Sequence, residues 1–101
     1  MSVDRKVAIV TGAGQGIGKA VALALAGDGV DIVLAELDGE RARAAAADIE
    51  RLGAATLVHV ADVARRDRVE GMVAATLERF SRLDILVNNA GVMAPAPALE
   101  M

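Results

Sequence analysis

With 11 basic and 14 acidic residues among 101, a net charge of −3 and a sequence pI near 5.0, the chain has no basic block of the kind nucleic acid or an anionic membrane surface would select. It contains no cysteine, which excludes a disulfide framework and thiolate chemistry, and no recognisable ligand spacing assembles a metal site. Hydrophobic residues make up 54% of the sequence but Phe80 is its one aromatic side chain, so the core must be built from Val, Ile, Leu and Ala, which suits strands buried on both faces and packed on Ala-rich helices.

At this length the chain amounts to one compact unit, residues 1–101. Met1–Lys6 leads into only about five apolar residues, too few for the core of a signal peptide or for a membrane span. The expected compartment is therefore cytoplasmic. Val7–Val10 is a continuous apolar run and predicts a buried strand. A glycine-rich turn follows. Beyond it Ile17, Val21, Ala24 and Leu25 recur at helical spacing as far as Asp28, and Gly29 supplies the stop.

Ile32–Ala35 predicts a second buried strand, ending at Glu36-Leu37-Asp38-Gly39. The Ala- and Arg-rich stretch from Glu40 to Leu52 is a helix by propensity, with Ile49 and Leu52 on one stripe and Gly53 closing it. Thr56–Val60 is a third strand, and His59 within it reads as a packed strand residue rather than a ligand or base. Val69, Met72, Val73, Thr76, Leu77 and Phe80 form a helical stripe. The start of that helix conflicts locally with its environment, because Ala64 is a poor cap, worth about 1 kcal/mol less than a good one. Arg65, Arg66 and Arg68 lie near the positive end of the dipole, interleaved with Asp62, Asp67 and Glu70 as on a solvated face. Asp84–Val87 is the fourth strand, followed by Asn88-Asn89-Ala90-Gly91, and the tail Ala94-Pro95-Ala96-Pro97-Ala98 reads as an extended loop.

The order βαβαβαβ implies α/β architecture, a Rossmann-like doubly wound parallel sheet with right-handed crossovers. In the turn after the first strand, Gly12 permits the sharp reversal, Gly16 close approach of the backbone to a ligand, and Gly18 tight packing of the helix on the sheet. The N–H groups of the first helical turn then face a phosphate. The spacing is Thr-Gly-x-x-x-Gly-x-Gly rather than the commonest dinucleotide fingerprint, Gly-x-Gly-x-x-Gly. Strand before and helix after make dinucleotide binding the leading expectation.

Thr11-Gly12-Ala13-Gly14-Gln15-Gly16-Ile17-Gly18, taken with Asn88-Asn89-Ala90-Gly91, resembles the short-chain dehydrogenase/reductase (SDR) family of the classical type, over essentially the whole chain. Within the family, the run Lys6–Asp28 and the tail Val92–Met101 are most similar to acetoin/2,3-butanediol and related polyol dehydrogenases. The resemblance implies a cofactor segment at Gly12, Gln15, Gly16, Ile17 and Gly18, and an adenine-contacting pair at Asp62 and Val63. It also implies that Asn88 ties neighbouring strands together while Asn89, Ala90 and Gly91 line the cofactor ribose. A plain turn residue is the alternative for Asp62.

Glu36 at the end of the second strand can accept hydrogen bonds from the adenosine ribose hydroxyls and would repel a 2′-phosphate. The alternative is an acidic residue near a helix start, stabilised by the dipole. Neither Gln15 nor Leu37 offers a guanidinium for a 2′-phosphate, so NAD is expected over NADP, although Arg65 or Arg66 lies within conceivable reach.

The family's chemistry is hydride transfer between cofactor and an alcohol or ketone, with a tyrosine as proton donor, a lysine lowering its pKa and a serine orienting the carbonyl. The 101 residues contain no tyrosine, and Ser2, Ser81, Lys6 and Lys19 stand outside such a pattern, so no residue is assigned as catalytic. The chain is expected to be the dinucleotide-binding half of an oxidoreductase whose complete form is a homo-oligomer, inactive alone and marginally stable, with the fourth strand an exposed edge if the order is the usual 3-2-1-4. A non-catalytic NAD-binding or interaction module is the competing class, and a remnant without stable function the third.

Overall fold

Period-two alternation across four strands organises the fold. The structure, a computed structural model, describes residues 5–14, 16–60 and 66–88. Its elements run β1 (Val7–Thr11), α1 (Gly16–Gly27), β2 (Asp31–Glu36), α2 (Gly39–Glu50), β3 (Thr56–Val60), α3 (Arg66–Phe80) and β4 (Ile85–Val87). The strands pair in parallel in the order β3-β2-β1-β4, which leaves β4 at an edge as the usual order would.

Because successive side chains in a strand point to opposite faces, register fixes two layers. Leu57, Val33, Ile9 and Leu86 line up across the sheet on one face, where they meet Met72, Val69, Val73 and Phe80 of α3. Val58, Leu34, Val10 and Val87 form the adjacent row on the opposite face, packed with Ala22 and Ala26 of α1 and Ala45, Ala46 and Ile49 of α2. Each fully buried aliphatic side chain in these rows contributes about 1.5–3 kcal/mol of transfer free energy. The sheet is thus covered on both faces, as continuous apolar runs in β1 and β2 require.

Helix α1 lies on the sheet through Gly18, Ala22 and Ala26, not through the stripe of larger residues that the sequence suggested. Ile17 is 72% exposed and Ala24 is exposed, while Leu23 and Leu25 pack at the edge of the core. Apolar residues surround this helix, so the position of its bulky residues does not define its inner face. Small residues at intervals of four allow its backbone to approach the sheet closely. Leu52 also leaves its expected stripe: α2 ends at Glu50, and Leu52 stands exposed in the turn that closes at Gly53. Lys19 Nζ lies 2.9 Å from Asp48 Oδ2, bracing α1 against α2, and this contact, with Arg51 beside it, holds the Asp48 carboxyl below its ordinary value of 3.8.

Two carboxylates pin the N-terminal end of the sheet. Asp31 Oδ1 accepts from Arg5 Nε and from the Ala55 N–H, both at 2.9 Å. Asp84 Oδ2 accepts from the Val7 N–H at 2.9 Å and from Arg82 Nε at 2.8 Å, and Arg82 Nη2 reaches Oδ1 at 2.8 Å. His59 is half-buried on β3, opposite Ala35 in the register. Ala64, expected at the start of the third helix, lies outside the described residues.

Candidate cofactor site

The opposite end of the sheet, where strands terminate, carries the glycine turn. The Gly12 N–H donates to Ala35 O at 2.8 Å, extending the β1–β2 ladder one step beyond its last residue pair. Gly12 then turns the chain at φ +62°, and the left-handed conformation recurs at Gly16, φ +61°, where α1 begins. Such backbone angles cost an L-residue about 1–2 kcal/mol, so both positions require glycine on conformational grounds. Among the described residues, and apart from its chain neighbours and its own helix, no heavy atom lies within 4 Å of the place a Cβ on Gly16 would take. The first turn of α1 carries no acidic side chain, leaving the positive end of its dipole uncompensated by the helix itself.

Gly14 has a different requirement. Its φ is not left-handed, but a Cβ there would fall 2.7 Å from Glu36 Oε1 and 2.9 Å from Arg41 Cβ. The reason is a hydrogen bond: the Gly14 N–H donates to Glu36 Oε1 at 2.9 Å, while Glu36 Oε2 accepts the Asp38 N–H at 3.2 Å. The carboxylate at the end of β2 is therefore fastened to the turn that follows β1. Capping of α2 falls to Asp38, whose Oδ1 accepts the Glu40 and Arg41 N–H groups at 3.0 and 3.1 Å, and whose Oδ2 lies 3.5 Å from Arg41 Nε. The N-cap of α2 is thus Asp38, with Glu36, two residues before it, accepting the Asp38 N–H.

Thr11 closes the other side of the turn. Its buried hydroxyl donates toward Val87 O and Asn88 Oδ1, both at 3.3 Å, linking the end of β1 to the end of β4. At the same end of the sheet Ile17, Leu37 and Val60 expose 72%, 67% and 51% of their surface, an apolar rim beyond the strand termini.

Of the residues expected from the sequence, Gly12, Gly16, Ile17, Gly18 and Glu36 come together at this end. Gln15, Asp62, Val63, Asn89, Ala90 and Gly91 lie outside the described residues. Sequence reasoning missed Gly14 and Asp38. The Asp-Gly-Glu start of an Ala-rich helix signals a cap at Asp38, whereas spacing alone does not separate Gly14 from the variable positions of the turn. Among the described residues, no group of three or more His, Cys, Asp or Glu could hold a metal ion, and no helix is long and apolar enough to cross a membrane.

The profile of the family described as short chain dehydrogenase matches residues 6–101. A subunit of (2S)-[(R)-hydroxy(phenyl)methyl]succinyl-CoA dehydrogenase, BbsD, from Thauera aromatica is 40% identical over 92 residues, which cover 91% of this chain and 37% of that protein. NAD+-bound xylitol dehydrogenase superposes with a TM-score of 0.82 at 39% identity, over 86% of this chain and 34% of the other. L-sorbose reductase from Gluconobacter frateurii, solved with NADPH and L-sorbose, gives 0.83 at 38% identity, over 93% and 36%. The chain therefore spans little more than a third of the length of each of these relatives. Matching the family profile over residues 6–101, this chain belongs to the short-chain dehydrogenase/reductase family.

Proposed function

We propose that the chain is the dinucleotide-binding part of an NAD-dependent oxidoreductase, with the reacting alcohol or ketone bound by polypeptide outside these residues. The observation that carries this reading is the Glu36 carboxylate, held at the C-terminal end of β2 by the Gly14 N–H. Ligands of open α/β sheets bind beyond the carboxyl ends of the strands, and the residues here fit such a ligand. The open space at Gly16 and the acid-free first turn of α1 suit a pyrophosphate. Glu36 keeps acceptor capacity for two ribose hydroxyls beyond its backbone bonds, and the exposed Leu37 and Val60 supply apolar surface for an adenine.

The same carboxylate supports NAD over NADP. A 2′-phosphate about 4 Å from it would meet repulsion of about 4 kcal/mol per unit charge at an effective dielectric of 20, reduced by screening at a half-buried site. Solved neighbours include both an NAD+ and an NADPH complex, so this preference rests on Glu36 and on the lack of a guanidinium at Gln15 and Leu37. When bound, the nicotinamide would accept a hydride from the alcohol or return one to the ketone. Within this chain Gly12, Gly16, Ile17 and Gly18 shape the phosphate cradle, and Gln15, Asp62, Val63, Asn89, Ala90 and Gly91 complete the contacts with ribose and adenine. We further place the complete enzyme in the cytoplasm as a homo-oligomer acting on small molecules rather than nucleic acid.

One observation favours a second reading, a binding module without catalysis: the 101 residues contain no tyrosine. Encoding DNA that continues past Met101 into Tyr-x-x-x-Lys would remove that alternative. The direct test is calorimetric titration of the chain with NADH and then NADPH. Saturable binding that favours NADH is expected, and a folded chain that binds neither refutes the assignment.

A further inference from the structure

We propose that Gly14 is a positioning residue for dinucleotide selectivity, acting through Glu36. The proposal rests on the reading of Glu36 as acceptor of the ribose hydroxyls, and extends it to a residue that touches no cofactor atom in that reading.

The turn's glycines divide by physical cause. Gly12 and Gly16 adopt left-handed backbone angles. Gly14 does not, so an alanine could adopt its conformation without backbone strain. Two groups stand where a side chain at Gly14 would go, Arg41 Cβ and the Glu36 carboxylate, and a Cβ would lie 2.7 Å from Glu36 Oε1 and 2.9 Å from its Cδ. Real Cβ atoms do not approach so closely, and the end of a glutamate side chain is the group that yields most easily. Alanine at 14 would therefore push the carboxylate away from the turn, breaking its 2.9 Å bond from the Gly14 N–H. The remaining tether, the Asp38 N–H at 3.2 Å, comes from two residues along the same chain and does not fix the carboxylate relative to the turn. The missing Cβ, together with the N–H beside it, thus aims one carboxylate at a fixed place over the C-terminal end of the sheet.

A second contact tells positioning from packing. A Cβ at 14 would also lie 2.9 Å from Arg41 Cβ in α2, and a β-carbon on a helix moves only with its backbone. That part of the substitution costs stability whether or not residue 36 is acidic. The part acting through Glu36 changes selectivity and disappears when the carboxylate is removed.

The test measures Kd for NADH and for NADPH on the full chain in five forms: parent, Gly14→Ala, Glu36→Ala, the double variant, and Gly27→Ala. The last adds a methyl where no heavy atom lies within 4 Å and should leave both constants unchanged. Losing a hydrogen-bonded, charged acceptor from its place predicts that Gly14→Ala lowers the preference for NADH about tenfold, chiefly by weakening NADH. In the Glu36→Ala background it should change the preference no further. Equal weakening of both dinucleotides by Gly14→Ala, an unchanged preference, or a full additional loss in the double variant overturns the proposal.

Amide exchange needs no change at Gly14 and covers the case in which alanine there prevents folding. The Gly14 N–H should exchange at least about tenfold faster in Glu36→Ala than in the parent, and equal rates overturn the proposal. Failure of the underlying reading looks different: Glu36→Ala would itself leave the preference unchanged, or the folded parent would bind neither dinucleotide.

Discussion

Asp84 accepts the Val7 N–H at 2.9 Å across a separation of 77 residues, so the start of β1 is held by a side chain at the threshold of β4. The same carboxylate takes a two-point contact from Arg82. Arg82 first, then the Val7 N–H, holds the Asp84 carboxyl below its ordinary value of 3.8.

A group whose folded pKa is depressed adds stability that is present above the unfolded pKa and lost as pH falls through the folded one. Asp84→Asn should therefore lower the urea midpoint at pH 7, and the gap from the parent should narrow steadily below about pH 4. An equal gap at pH 7 and pH 3 would exclude this role for the carboxylate.

Ile9 occupies the centre of the row facing α3, fully buried between Val33 and Leu86. Ile9→Ala should cost about 2–5 kcal/mol, read from denaturant midpoints, and a cost below about 1 kcal/mol would mean that α3 collapses into the cavity.

Helix α3 is followed at once by Ser81, which adopts φ +66° where α1 and α2 are followed by left-handed glycines at 29 and 53. Its N–H is already satisfied by Leu77 O at 2.8 Å, so relief of backbone strain is the main effect of removing the side chain. Ser81→Gly should stabilise the chain by about 0.5–1 kcal/mol. A lower thermal midpoint in the variant would show that the serine side chain contributes more than its backbone angle costs.

At the proposed cofactor site, Glu36→Ala should weaken NADH while leaving NADPH equal or tighter, and identical NADH affinities in variant and parent would remove Glu36 from the site. Gly16→Val places a β-branched side chain at φ +61°, in open space reserved in this reading for a pyrophosphate. Binding should be lost at a stability cost of about 1–2 kcal/mol, a split seen by comparing calorimetry with a melt.

Both covered faces were legible because β1 and β2 are unbroken apolar runs and each of the first three strands is followed by a helix-length segment, whereas the strand order came from the family resemblance and not from the residues. Element ends shifted by a residue or two, as Thr11 and Asp31 joined their strands. The inner face of α1 was not legible. Lys19 apart, its sequence is apolar or glycine throughout, and the close packing of Gly18, Ala22 and Ala26 rests on small size, which a stripe of bulky residues cannot report. Glu36 was legible from its place at a strand end, but its bond to Gly14 was not, because it joins the glycine turn to the end of β2, which only the β1–β2 pairing brings together.

The contact at Thr11 has a mechanical consequence. Its hydroxyl reaches Val87 O and Asn88 Oδ1 one residue before Gly12 begins the turn. A displacement of the chain at Asn88 would thereby reach the glycine turn through a lever one residue long. Whatever polypeptide adjoins β4 inherits a direct hold on the geometry of the turn, and β1 acts as the fixed rail against which the two are kept in step.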